Sequence, residues 1–166
     1  KNLDLKSIAE RVADLVSAES ADSEKNVSLL LDIPREARLV RGDPGKVEQV
    51  LLNLVQNGVE AIEKAGEVRI SAVRSTGGSD GETRVIVEDT GKGISPERLE
   101  TVQEPFTSDK EQGTGLGLAM VKKFLRLHGT DLDLDSEPGQ GTRVTFNLSP
   151  AEERQPYDQE SACCRR

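Results

Sequence analysis

The amino-acid sequence predicts one antiparallel or mixed sheet with helices packed on one face. Three observations lead there. Helical and strand periodicities share a chain of 166 residues, they do not alternate regularly as parallel βαβ units would, and the last two strand segments flank a glycine-containing turn. The length suits a single domain that closes one core without disulfides or metal.

The elements follow in order. "LDLKSIAERVADLVSAES" carries Leu5, Ile8, Val12, Leu15 and Val16 at the spacing of one helical face. "NVSLLLDI" and "ARLVRG" read as short strands, and Asp43-Pro44 opens a second helix with Asp as N-cap and Pro in the first turn. "EVRISAVR" and "ETRVIVED" alternate as strands around the loop "STGGSDG". A short helix is expected in "SPERLETVQ", another in "AMVKKFLRLHG", and a closing hairpin in "TDLDLDS" and "TRVTFNL" around "EPGQG". The domain is expected to span residues 1–148, with 149–166 a polar, disordered tail.

Composition removes several functions. A net charge of −8 argues against nucleic acid or an anionic membrane, because both need clustered Lys and Arg. Any phosphate must be held by something other than a basic field. No apolar run approaches bilayer length, and the first residues are amphipathic rather than a signal peptide. The expectation is a cytoplasmic domain without direct membrane contact, whose parent is free to be membrane-anchored. The adjacent Cys163 and Cys164 suit a reducing compartment and read as incidental thiols.

"EQGTGLGL" places Gly113, Gly115 and Gly117 directly before a helix, although glycine is a poor helix starter. It is neither a Walker loop, which needs G-x-x-x-x-G-K-[ST], nor a dinucleotide fingerprint, which needs a further glycine and a preceding strand. Glycines do let backbone approach a ligand closely, and the helix N-terminus offers unpaired N–H groups with partial positive charge. Alone, the segment leaves an anion site and a flexible loop equally open.

"VIVEDTGKGIS" sets Asp89 at a strand end beside Gly91, Gly93 and Ile94. An EF-hand reading fails, because ligand positions three and five would be glycines and the required glycine at six is Ile94. A carboxylate there suits a flat base, accepting a hydrogen bond from an exocyclic amine. Adenine has that amine. Guanine would face it with an acceptor, and leaving such a buried group unpaired costs roughly 1–3 kcal/mol. A plain turn aspartate is the competing reading.

The third motif lies in the helix "GKVEQVLLNLVQNGVEAIEKA". Val47, Leu51, Leu54, Val55, Gly58 and Ile62 form an apolar face, while Asn53, Asn57, Glu60 and Lys64 recur along another. Asparagine is a poor helix former, so two of them one turn apart call for a reason. An amide oxygen is a hard neutral ligand suited to Mg2+ shared with phosphate; capping of backbone or contact with water is the alternative.

"NLVQNGVEAI", "DTGKGI", "EPF" and "GTGLGL", followed by "SEPGQGTRVTF", occur together and in that order. The chain thereby resembles the ATP-binding catalytic domain of bacterial sensor histidine kinases, of the GHKL superfamily. The resemblance implies a Bergerat-type two-layer α/β sandwich, with a largely antiparallel sheet and with ATP and Mg2+ between the helices and a mobile lid over approximately 95–114.

Position by position, the resemblance makes Asn57 the Mg2+ ligand and Asp89 the adenine acceptor, with Gly91, Gly93 and Ile94 shaping the base pocket. Gly113, Thr114, Gly115, Leu116, Gly117 and Leu118 form the phosphate-binding segment. Asn53 lies beside the nucleotide, Phe106 anchors the lid, and Lys110 reaches the terminal phosphates as a point charge. Thr142 supports the adenine contact through water. Asn57 and Lys110 are the catalytic candidates. The implied reaction is transfer of the γ-phosphoryl group to a histidine on a dimerisation hairpin absent from this sequence, with a response regulator downstream.

The departures carry information. Family members that hydrolyse ATP have Glu where Asn53 stands, so the best-placed base for activating water is missing. Glu60 replaces a frequent lysine, and Gly58 replaces a frequent alanine, a change expected to be mild. His128 is the single histidine, and its place before Gly129 suits a helix end rather than an acceptor. An anti-sigma-type serine kinase and a nucleotide-sensing pseudokinase share the same motifs.

Overall fold

The structure, a computed structural model, describes residues 1–20, 24–75, 81–99, 101 and 117–151. In chain order these form β1 (Asn2–Asp4), α1 (Leu5–Glu19), β2 (Asn26–Asp32), a 3₁₀ turn (Arg35–Ala37), β3 (Leu39–Arg41), α2 (Pro44–Ala61), β4 (Ala65–Arg74), β5 (Thr83–Asp89), α3 (Pro96–Leu99), α4 (Gly117–Leu127), β6 (Leu132–Glu137) and β7 (Gly141–Leu148). The main sheet has five strands in the order β2-β4-β5-β7-β6. Only the β2–β4 pair is parallel, so the sheet is mixed and largely antiparallel.

One feature departs from the single sheet expected. β1 and β3 pair as a separate antiparallel ribbon, with Leu3 opposite Val40. Three residues of β1 are too few to show a period, and only their partner makes them a strand. The chain past Leu148 also stays bonded: Arg41 donates its N–H to the Ser149 carbonyl at 2.8 Å, and Pro150 bridges Val40. Pairing therefore continues beyond residue 148, while 152–166 lie outside the described residues.

Alternation decides which sheet face meets the helices. Val68, Ile70 and Ala72 on β4, Val85 and Val87 on β5, and Val144, Phe146 and Leu148 on β7 are buried, whereas the opposite face carries charge, including Arg143 on Glu88 at 2.6 Å. The helices contribute Ile8, Val12 and Val16 from α1, Val47, Val50, Leu51, Leu54 and Val55 from α2, and Val121 and Leu125 from α4. α2 is the middle helix, touching α1, α4 and the sheet.

The helix ends are held by local chemistry. Asp4 accepts from the Ser7 N–H at 3.2 Å and Asp43 from the Lys46 N–H at 3.0 Å, the two N-caps. The Arg38 side chain beside Asp4 holds its carboxyl below the usual range. At the far end of α2, Lys25 Nζ reaches the carbonyls of Val59 and Glu60 at 3.3 and 3.4 Å, a cation placed where the helix dipole is negative.

Thr83 is the exception to good pairing. Its hydroxyl is fully buried and has no hydrogen-bond partner among the described residues. Thr83→Val keeps the shape and removes the stranded polar atom, so stability should rise by about 1 kcal/mol and the melting temperature by about 2–4 °C. A lower melting temperature by calorimetry would show that the hydroxyl is satisfied.

Candidate functional site

The site begins with a row across the sheet. Val68, Asp89, Thr142 and Ser136 are successive cross-strand neighbours on β4, β5, β7 and β6. The row passes from apolar to polar at the point where the inner face leaves the core. Asp89 and Thr142 are both half-buried, and a cavity of about 270 Å³ touches both but is lined also by Glu88, Asp135 and Arg143 of the opposite sheet face.

Asp89 accepts a 2.8 Å hydrogen bond from the Gly91 N–H. Burial pushes its carboxyl above the ordinary carboxylate value, partly opposed by the N–H groups of Gly91 and Thr142. A half-buried acceptor with lone pairs to spare results. It is suited to a ligand's N–H donor.

The loop after β5 is held from four directions. Thr90 exchanges hydrogen bonds with Glu67, Lys92 donates to the Ala61 carbonyl at 3.0 Å, Gly139 donates to the Lys92 carbonyl at 2.8 Å, and Ile94 donates to Ser136 Oγ at 2.9 Å. Glycine is required at the closest approaches. A Cβ on Gly91 would lie 2.7 Å from the Ala61 carbonyl carbon, and one on Gly93 (φ 69°) would overlap the Glu137 carbonyl.

The second half of the site is where α4 meets α2. A Cβ on Gly117, the first residue of α4, would sit 3.8 Å from Asn57 Nδ2 and 3.9 Å from Asn53 Oδ1. Gly117, where the described part of α4 begins, thus lies against both asparagines. Leu118, next in the helix, packs against the core. Asn57 is exposed and Asn53 half-buried, so both amides are within reach of a ligand.

Gly58 joins the two halves. A Cβ there would lie 3.1 Å from both Asp89 Cβ and Val68 Cγ2, so α2 approaches β5 more tightly than the sequence suggests. Asn57 faces α4 while its neighbour Gly58 faces Asp89. The structure therefore brings together Asn53, Asn57, Gly117, Asp89, Gly91 and Thr142, with Gly93 and Ile94 tied in through Ser136. Lys110, Phe106, Gly113, Thr114, Gly115 and Leu116 lie outside the described residues, as does most of the expected lid.

Two residues escaped the sequence reading. Ser136 binds Ile94, Gly141 and Thr142, and Gly141 (φ 89°) lies where a Cβ would overlap the Asp89 carbonyl. Both belong to "SEPGQG", whose reading as a hairpin turn and as part of the family motif assigns no role to either residue. His128 sits at the end of α4, its Nδ1 2.8 Å from the Phe124 carbonyl and its Nε2 accepting from the Asp43 N–H at 3.3 Å. Since a carbonyl can only accept, Nδ1 carries the hydrogen.

Residues 42–152 match the family described as histidine kinase-, DNA gyrase B-, and HSP90-like ATPases. The chain belongs to that family. It is 38% identical over 148 residues to the sensor histidine kinase ZraS of Klebsiella oxytoca, covering 89% of this chain and 31% of that protein. Sporulation kinase C of Bacillus subtilis is 36% identical over 63% of this chain and 23% of its own length. The chain thus spans a third or less of these relatives. Among solved structures, the catalytic domain of histidine kinase ThkA superposes with a TM-score of 0.76 at 26% identity, over 90% of this chain and 95% of that one. The two-layer Bergerat fold and ATP binding expected from the sequence are those of this histidine-kinase-like ATPase domain. No helix among the described residues is long and apolar enough to cross a membrane.

The raised Asp89 carboxyl has a stability consequence. A carboxyl with a higher proton affinity folded than unfolded favours the fold below its unfolded value, and that advantage is lost as pH rises through the folded value. In the nucleotide-free domain, the melting temperature of Asp89→Asn minus that of wild type should therefore increase with pH across that interval and then level off. A pH-independent difference would show that burial does not shift this group.

Proposed function

We propose that this domain binds Mg-ATP and transfers its γ-phosphoryl group to a histidine on a dimerisation hairpin that lies outside this sequence, with a response regulator as downstream acceptor. The observation that carries this is the split at Asn57 and Gly58: consecutive residues of α2 face Gly117 of α4 and the Asp89 side chain. One ligand with an amine at one end and phosphates at the other fits both. The names of ZraS and sporulation kinase C support the kinase reading, and full-length ShkA, 28% identical with a TM-score of 0.78 over 92% of this chain and 32% of its own, is described in complex with AMPPNP.

In this reading Asp89 accepts from the adenine amine, Thr142 supports that contact, and Gly91, Gly93 and Ile94 wall the base. Gly117 and Leu118 at the start of α4, with Gly113, Thr114, Gly115 and Leu116, hold phosphate oxygens by N–H groups, and Lys110 adds a point charge. The Asn57 amide, exposed beside Gly117, has the chemistry to hold Mg2+, with Asn53 beside it. When bound, Mg2+ neutralises charge on the triphosphate.

One feature favours transfer over hydrolysis, and another rules out the chain's own histidine as acceptor. Asn53 offers no base to activate water. His128 cannot be the acceptor, because both ring nitrogens are engaged and it sits a helix length from Gly117, roughly 16 Å at the rise of an α-helix. An outside imidazole must supply the nucleophile: its nitrogen bonds to phosphorus, the bond to the β–γ bridging oxygen breaks, and ADP departs. Such transfer depends on positioning and charge stabilisation more than on covalent help.

Incubated alone with ATP labelled at the γ position, the chain should release negligible phosphate and leave His128 unlabelled. Adding the full-length protein's dimerisation hairpin should give an acid-labile phosphohistidine on the hairpin. Rapid hydrolysis by the isolated chain would instead mark an ATPase, and tight ATP binding with no transfer a pseudokinase.

Asn57→Ala separates phosphate from base. ATP affinity in Mg2+ should fall at least tenfold, about 1.4 kcal/mol, while adenosine affinity stays within about twofold. Equal losses for the two ligands in calorimetry would remove Asn57 from the phosphate end.

A further inference from the structure

We propose that Ser136, acting through Thr142, is a positioning residue that makes the base pocket accept a purine 6-amine and reject a 6-carbonyl. This rests on the reading of Asp89 as the base acceptor. Ser136 lies on the inner face of β6 and is 8% exposed. Its Oγ is 2.7 Å from the Gly141 carbonyl oxygen, 2.9 Å from the Ile94 nitrogen and 3.0 Å from Thr142 Oγ1.

Hydrogen accounting leaves a single arrangement. A serine hydroxyl has one hydrogen and two lone pairs. The Gly141 carbonyl can only accept, so it takes the hydrogen. The Ile94 N–H can only donate, so it takes one lone pair. What Ser136 still offers Thr142 is a lone pair, and the Thr142 hydroxyl must therefore donate to it.

The consequence lies on the ligand side. Thr142 has given its one hydrogen to Ser136, so the oxygen it shows the pocket beside Asp89 carries lone pairs only. A threonine free to rotate could donate or accept, and would satisfy an amine or a carbonyl equally. Held by Ser136, it adds a second acceptor to the Asp89 carboxylate. A 6-amine donates directly to such a pair, whereas a 6-carbonyl in direct contact meets acceptors alone. The same Ser136 oxygen also fixes Ile94, so one hydroxyl sets both the wall of the pocket and the hydrogen-bonding polarity of its floor.

The test is the ratio of affinities for ATP and inosine triphosphate, which differ at the purine 6-position, measured by calorimetry in Mg2+. Ser136→Ala should lower the preference for ATP by about fivefold to tenfold. Thr142→Val should lower it comparably, and Ser136→Ala in that background should lower it no further, because Ser136 acts through the Thr142 hydroxyl. Ser136→Thr, which keeps the oxygen, should restore the wild-type ratio. Equal weakening of both nucleotides in Ser136→Ala, or additive effects in the double variant, overturns the proposal. Should Ser136→Ala not fold, Thr142→Val carries the test, and an unchanged ratio there is equally fatal. Asp89→Asn separates the two readings: if it abolishes the preference while Ser136→Ala does not alter it, only the Ser136 role fails, whereas an unchanged ratio in Asp89→Asn overturns the base-acceptor reading itself.

Discussion

The close approach of α2 to the end of β5 is the constraint on which the site depends. It is possible because Gly58 has no side chain to hold Asp89 and Val68 away and because Gly91 lets the following loop lie against the Ala61 carbonyl. That contact also completes the helix, since the Lys92 N–H satisfies a carbonyl that the end of α2 would leave unpaired. Packing, helix termination and the depth of the Asp89 carboxylate are thus one arrangement. A change at any of these positions is felt by the others, because close-packed interiors transmit displacement.

Around that contact the inner face of the sheet changes character. Most of it is valine and leucine against helix, but at the row through Asp89 it becomes a carboxylate and two hydroxyls. Partial burial of the carboxylate works against its charged form. The N–H groups of Gly91 and Thr142 offset part of the penalty without consuming every lone pair. The Asp89 acceptor is therefore held in place by the fold itself.

An acidic chain that binds a polyanion needs a local source of positive potential. With a net charge of −8, its general field is unfavourable to a triphosphate, and at physiological salt that field is screened beyond about 8 Å. Under the proposed function that source is backbone N–H groups around Gly117, which act within that distance and do not depend on the sign of the surface. Asn53 and Asn57, which lie beside Gly117, are neutral amides and lack the repulsion that a carboxylate would bring to a phosphate. Glutamate at position 53 would add hydrolytic chemistry together with that repulsion.

What the sequence determined by itself was periodic or compositional. α1, α2 and α4 follow from apolar spacing, the N-cap at Asp43 from Asp-Pro, β4, β5 and β7 from alternation, and the candidate residues Asn57, Asp89 and Gly117 from motifs whose residue types are chemically unusual for their elements. These signals are local, and so they survive in one dimension. Tertiary structure alone decided the pairing of β1 with β3, the parallel set of β2 on β4, the extension of pairing through Ser149 and Pro150, and the roles of Gly58, Ser136 and Gly141. Each depends on a partner remote in sequence: Gly58 on Asp89, Ser136 on Ile94, Gly141 on the carbonyl of Asp89. A serine in a strand and a glycine in a hairpin have many uses, and the residue type does not say which; only the neighbour brought up by folding assigns the hydrogen or occupies the space where a Cβ would have been.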